Sequence, residues 1–292
     1  LNLTTSELIR HADGSIYHLH LRPEQLAPTV LLVGDPDRVP MVSRYFDRLE
    51  HQVRKREFVT HTGWLGRQRL TVLSTGIGTD NIDIVLNELD ALVNIDLAER
   101  TVRRAQTSLR LIRLGTAGSL SADIPVDTLV LSAFGIGMDN LLTYYPYQPE
   151  EEARTLQSAL ADLFTRLGFP FTPAVTSADT ETLRLLSAGT TLGMTLTSPG
   201  FYGPQGRSLR LPTRLPADFF EAAGRFRYEG LPLANFEMET AGIYGLAHML
   251  GHRAVSCSTI LANRVRGEFT ADASAAVDRM IRLVLERLSE LP

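Results

Sequence analysis

Residues 29–39 read TVLLVGDPDRV: an aliphatic run from Thr29 to Val33, then Gly34, Asp35, Pro36, Asp37 and Arg38. A short apolar run with no polar alternation is the pattern of a strand buried on both faces, as in a parallel sheet covered by helices. Similar runs recur at 69–74, 109–114, 128–133 and 253–261. Between them, residues 37–46, 79–93, 150–168, 240–250 and 271–288 carry apolar residues at helical spacing. Strands alternating with helices predict a single α/β domain over residues 1–292, with a central, mostly parallel mixed sheet flanked by helices. In open sheets of this kind, ligands gather beyond the carboxyl ends of the strands. There this chain concentrates its glycines and charges.

The bulk numbers narrow the chemistry. Of 292 residues, 29 are basic and 33 acidic, giving a formal charge of −4 with the signs interspersed. Such a surface has no general attraction for nucleic acid or an anionic membrane, so neither is expected as a partner and any anion must be captured locally. Cys257 is the only cysteine, which leaves no internal disulfide and suits a reducing compartment. Lys55 is the only lysine, so arginines must supply positive charge to a phosphate. The start, LNLTTSELIRHADG, has neither a signal-peptide core nor a transit-peptide pattern, and no apolar run approaches the ~20 residues that span a bilayer. The expected location is the cytoplasm.

Five motifs carry the chemistry. In GDPDR, Gly34 lets backbone approach an anion, Pro36 suits a first helical position, and helix N-terminal amides with Arg38 suit phosphate oxygens. STGIG at 74–78 ends another strand but lacks the full dinucleotide-binding glycine fingerprint. In RLGTAG, Arg113 lies near a strand end, and Thr116 with Gly118 reads as a turn offering a hydroxyl and free amides. A buried arginine needs a partner, either a bound anion or a carboxylate of the chain. In NFEMET, Glu237 and Glu239 flank Met238 ahead of an apolar helix, where they can grip sugar hydroxyls or simply serve the helix start. In SPGFYGPQGR, Phe201, Gln205 and Arg207 offer an aromatic face, an amide and a guanidinium to a flat base, although Gly-Pro-Gln-Gly is also turn chemistry. Residues 187–216, rich in Gly, Pro, Ser and Thr, predict a long loop or flap.

Together GDPDRV, REF at 56–58, STGIG, R-x-G-T-x-G and N-[YF]-E-M-E resemble the nucleoside phosphorylase family, which includes uridine phosphorylases and hexameric purine nucleoside phosphorylases. The resemblance runs from about Tyr17 to the C-terminus and is poorer over 92–109 and 135–196. It implies that Gly34, Arg38, Arg113 and Thr116 hold phosphate, with Arg56 supplied by a neighbouring subunit. It implies that Met238 and Glu239 hold ribose, and that a histidine from the partner, His18 or the nearby His20, reaches the 5'-hydroxyl. Phe201, Tyr202, Gln205 and Arg207 resemble the uracil-reading motif of the uridine enzymes, and Arg264 matches an arginine that assists there. Purine enzymes place an aspartate after the late strand, where this chain has Asn263 and Arg264. The implied activity is phosphorolysis of a pyrimidine nucleoside, uridine foremost, with Gln205, Arg207 and Arg264 catalytic and phosphate a co-substrate. No cofactor or metal is implied. A monovalent cation bound by some members would fall at Glu57, Ile77 and Asn81, and Asn81 in place of the usual serine counts against it. A homodimer or trimer of dimers with shared sites is the implied assembly. Residues 94–108 look longer than the usual connection, with no readable role.

Overall fold

Thr29–Val33 forms a strand, β1, whose side chains alternate between two cores. Val30 and Leu32 pack on one face with Ile82, Leu86 and Ile243, while Leu31 and Val33 pack on the other with Val39, Met280 and Val284. Burial on both faces is why the run shows no polar alternation. A computed structural model describes residues 2–291. After β1 come α1 (Arg38–Ser43), β2 (Arg48–Lys55), β3 (Phe58–Leu65), β4 (Gln68–Ser74), α2 (Thr79–Asn94), β5 (Ile95–Asp96), β6 (Thr101–Val102), β7 (Arg110–Ser119) and β8 (Leu129–Gly137). The second half adds α3 (Glu151–Arg166), β9 (Ala174–Ser177), α4 (Thr180–Leu186), β10 (Thr191–Thr197), α5 (Phe219–Arg225), β11 (Arg227–Tyr228), β12 (Leu231–Glu237), α6 (Thr240–Leu250), β13 (Arg253–Asn263), β14 (Glu268–Phe269) and α7 (Ala273–Ser289).

The main sheet runs β11-β12-β10-β8-β13-β7-β1-β4-β3-β2. Its central pairings β13–β7, β7–β1 and β1–β4 are parallel, as are β8–β10 and β10–β12, whereas β13–β8 and the marginal hairpins are antiparallel. The expected α/β architecture is therefore present. One further ladder decides where a site can form. Phe236 and Asn235 of β12 pair antiparallel with Gly118 and Ser119 of β7, closing β12-β10-β8-β13-β7 into a ring. Closure brings the carboxyl ends of β7, β12 and β13 around one opening.

The five expected helices are present as α1, α2, α3, α6 and α7, whereas α4 and α5 were not expected from the sequence. Gly78, at φ 93°, takes a backbone conformation that favours glycine and starts α2, which buries Ile82, Val85, Leu86 and Leu89. α6 is buried over most of its length, and its glycines permit that. A Cβ at Gly245 would stand 2.6 Å from Leu142 Cδ1. Asp272 caps α7 by accepting from Ala275 N, and the helix lays Val277, Met280, Ile281 and Val284 against the second core. Among the described residues no helix is long and apolar enough to cross a membrane.

Four readings are corrected. The loop expected over 187–216 contains a buried strand, β10, between β8 and β12. Its threonines are polar yet satisfied: Thr195 donates to Asn235 Oδ1 at 2.9 Å and Thr197 to Glu237 Oε1 at 2.8 Å. Composition hid the strand because hydrogen bonds, not hydrophobicity, allow its burial. Thr116 and Gly118 form no turn, since β7 continues through Ser119 paired with β13. Pro36 precedes the first helical turn, as α1 begins at Arg38. The charged β2–β3 hairpin and the small β5–β6 hairpin within residues 94–108 were not read as strands, their residues lacking an aliphatic run.

Candidate active site

A cavity of about 780 Å³ opens at the carboxyl ends of β1, β4, β7, β12 and β13. Gly34, Arg38, Arg113, Thr116, Phe201, Gln205, Arg207, Met238 and Glu239 all line it, so motifs far apart in the chain meet in one space. Arg264 lies just behind, its Nη1 donating to the Gln205 carbonyl at 3.3 Å. His18 and Arg56 do not line the cavity of their own chain.

One pole is built on β1 and β7. A Cβ on Gly34 would meet only the Gly76 carbonyl, at an ordinary 3.5 Å, so crowding within the chain does not require glycine there. What glycine leaves is open space on the cavity side. Arg38 extends from the first turn of α1 and donates to the Leu114 carbonyl at 3.2 Å. Burial and the nearby Arg113 pull its pKa down, and Asp35 and Glu239 partly offset this. Arg113 is 6% exposed. Its guanidinium folds back along β7, where a Cβ at position 115 would stand 1.7 Å from Nη1. The glycine of R-x-G-T is therefore the space the arginine occupies.

Both chain carboxylates reach Arg113, with Glu239 Oε2 at 2.5 Å and Glu237 Oε2 at 3.2 Å from Nη2. Burial alone would lower the arginine's pKa, yet these two acids hold it above its ordinary value. The carboxylate alternative is thus the observed pairing, and Glu239 with Arg113 still faces the cavity. The two glutamates differ. Glu239 also accepts from Gly78 N at 2.8 Å, which ties it to the start of α2. Glu237 accepts from Thr197 Oγ1 and from the amides of Glu239 and Thr240, capping α6. Burial and Glu239 push the Glu237 pKa up against the pull of Arg113.

The opposite pole lies on the loop after β10. Arg207 donates to Gln205 Oε1 at 2.6 Å and to the Phe201 carbonyl at 2.7 Å, and its guanidinium sits 3.7 Å from the Phe201 ring centre. Arg264 rests 5.2 Å from the Phe220 ring. Burial and the adjacent Arg264 lower the Arg207 pKa to about 10, and among the described residues no carboxylate offsets either group. Two cations without an acid partner make this a place for developing negative charge.

Asn263 is not at the cavity. It is 1% exposed, donates to the carbonyls of Ser121 and Ile124, both at 2.9 Å, and accepts from Val265 N and Arg266 N. Its side-chain amide thus ties the turn after β13 to the loop after β7. Glu57 and Asn81 flank Gly76 at the cavity wall, with Ile77 beside them. Among the described residues no group of three or more His, Cys, Asp or Glu gathers to hold a metal.

Sequence reasoning missed the apolar wall: Leu261, Ala262 and the strongly exposed Phe269. Phe236, inside the N-F-E-M-E motif, also lines the cavity. Only closure of the β7–β12 ladder brings it there.

A model of the phosphorylase superfamily matches residues 28–289. The uridine phosphorylase of Thermococcus kodakarensis is 31% identical over 262 residues, 88% of this chain and 80% of that one. The Escherichia coli uridine phosphorylase is 25% identical over 260 residues, 88% and 89% of the two chains. A solved structure of Trypanosoma brucei nucleoside phosphorylase, described as showing uridine phosphorylase activity, superposes with a TM-score of 0.87. It shares 28% identity and covers 97% of this chain and 100% of that one.

Proposed function

This chain belongs to the phosphorylase superfamily, and from that premise we propose that it cleaves uridine with inorganic phosphate to give uracil and ribose 1-phosphate. The observation that carries the reading is the polarity of the cavity: Arg38 and Arg113 at one end, and Arg207 with Arg264, which have no acid partner among the described residues, at the other. Similarity to uridine phosphorylases supports the choice of base.

In this reading Gly34, Arg38, Arg113 and Thr116 hold phosphate, joined by Arg56 of a second copy. Met238 packs on the ribose and Glu239 accepts from its hydroxyls, while His18 of a second copy receives the 5'-hydroxyl. His18 suits that contact because its Nδ1 meets the Glu88 carboxylate at 2.7 Å. A carboxylate only accepts, so Nδ1 carries a proton, and Nε2 is the ring nitrogen left to meet the hydroxyl. His20 is instead engaged near Asp13, 3.5 Å away.

A phosphate oxygen attacks C1' as the bond to N1 of uracil breaks, and the electron pair of that bond leaves with the base. Gln205 and Arg207, backed by Arg264, stabilise the uracil anion until it takes a proton from solvent. Phe201 faces the ring. Holding both reactants in line removes much of the entropic barrier, and the preorganised guanidinium acts only where charge develops. No cofactor enters, and phosphate is a substrate.

Arg207→Ala tests this division of labour. Losing one such preorganised contact is worth ~3 kcal/mol, so kcat with uridine is expected to fall about 10²-fold while phosphate affinity stays near wild type. Equal losses in both would contradict the assigned role.

A further inference from the structure

The hairpin within residues 94–108 has no part in the cavity, yet it is tied to the chain on both sides. Asn94, at the end of α2, closes its base: Thr107 N donates to Asn94 Oδ1 at 2.6 Å, Asn94 Nδ2 to the Thr107 carbonyl at 3.1 Å, and Arg103 N to the Asn94 carbonyl at 2.8 Å. Its tip holds the N-terminal segment. Asn2 bridges to Thr101, and Leu3 N donates to the Arg100 carbonyl at 2.9 Å. The Arg100 side chain reaches back, with Nη1 donating to the carbonyls of Thr4 at 3.1 Å and Leu8 at 2.6 Å. Arg100 holds φ 56°, a left-handed conformation that a residue other than glycine adopts at a cost of about 1 kcal/mol or more. That strain is offset by the two charge-assisted bonds its side chain gains.

The clamped segment leads directly to His18. Arg10 bridges to Ile16, Leu8 and Ile16 are buried beside Leu97 of the hairpin, and His18 N, Leu19 N and His18 Nδ1 all converge on Glu88 of α2. Glu88 and Asn94 are on the same helix, so one rigid element orients the imidazole and roots the hairpin. We infer that the β5–β6 hairpin is a brace for the N-terminal segment, and that Arg100 is a positioning residue holding His18 where it serves the sugar in a neighbouring copy's cavity. The inference rests on the reading of His18 as a sugar ligand. It explains the long 94–108 connection, because two anchors, Glu88 behind His18 and Arg100 ahead of it, restrict a segment that would otherwise hang from one.

The test compares wild type, His18→Ala and Arg100→Asn with uridine and with 5'-deoxyuridine, which lacks the hydroxyl that His18 receives. Asparagine tolerates the left-handed backbone at position 100 while removing the guanidinium. Wild type is expected to prefer uridine, and both variants to lose about tenfold of that preference through KM for uridine, with 5'-deoxyuridine turnover unchanged in Arg100→Asn. In Arg100→Asn the amides of residues 16–21 are expected to exchange hydrogen for deuterium faster than in wild type. If His18→Ala erases the preference but Arg100→Asn keeps it, or lowers both substrates equally, the brace is refuted and the proposed activity stands. If His18→Ala keeps the preference, the sugar role of His18 falls and the inference with it. Exchange needs no turnover, so unchanged amides at 16–21 overturn the brace whatever the substrate proves to be.

Discussion

An alanine at position 115 would place its Cβ 1.7 Å from Nη1 of Arg113, a distance no side chain tolerates. We expect Gly115→Ala to force the guanidinium aside and to cost about 10²-fold in kcat/KM for phosphate, because an ångström of misplacement has that effect in a preorganised site. Kinetics with phosphate varied, alongside a thermal melt showing the fold intact, check this; near-normal kcat/KM would mean that Arg113 does not work from its observed place. Gly34 and Arg38 were legible because they follow directly on an apolar strand, and Arg113 because it interrupts one, where charge and glycine need a reason. Phe269 and Ala262 were not, since an exposed aromatic and a small apolar residue are ordinary until neighbouring strands define a wall. Asn263 was read by what it replaces, and its structural use is visible only from its partners, the carbonyls of Ser121 and Ile124.

At the scale of elements, α6 depends on a carboxylate that sequence reasoning offered equally to the sugar and to the helix. Glu237 lines the cavity beside Glu239, yet it accepts from the Thr240 amide at 2.9 Å and from Thr197 Oγ1 at 2.8 Å. Glu237→Ala strands several buried donors and is expected to lower unfolding stability by ~2 kcal/mol or more in a urea titration. A change below about 0.5 kcal/mol would show that the cap does not hold the helix. Helices with amphipathic spacing were legible to within a few residues, as at 79–93 against Thr79–Asn94. β10 was not, because the satisfied hydroxyls of Thr195 and Thr197 look like loop residues in a bare sequence. The strand Arg48–Lys55 escaped for the opposite reason: β2 lies at the sheet's edge and is mostly exposed, so six of its eight residues are polar.

For the molecule as a whole, the alternation of strands and helices predicted a covered parallel sheet, but nothing local announced the ladder between Phe236 and Gly118 that closes the ring. That long-range closure makes one cavity from motifs that look independent in the sequence. Arg56 and His18 do not line the cavity of their own chain, and in the proposed reading both come from a second copy. Specific activity is therefore expected to fall on dilution through the concentration where light scattering shows dimers giving way to monomers; constant activity in the monomer would remove His18 and Arg56 from the site.

The most direct measurement incubates the purified chain with uridine, with and without inorganic phosphate, and follows uracil and sugar phosphate together. We predict uracil release only with phosphate, matched one for one by ribose 1-phosphate. Uracil released equally without phosphate, or cleavage confined to a purine nucleoside, would contradict the assignment of a phosphate pole facing a pyrimidine-anion pole.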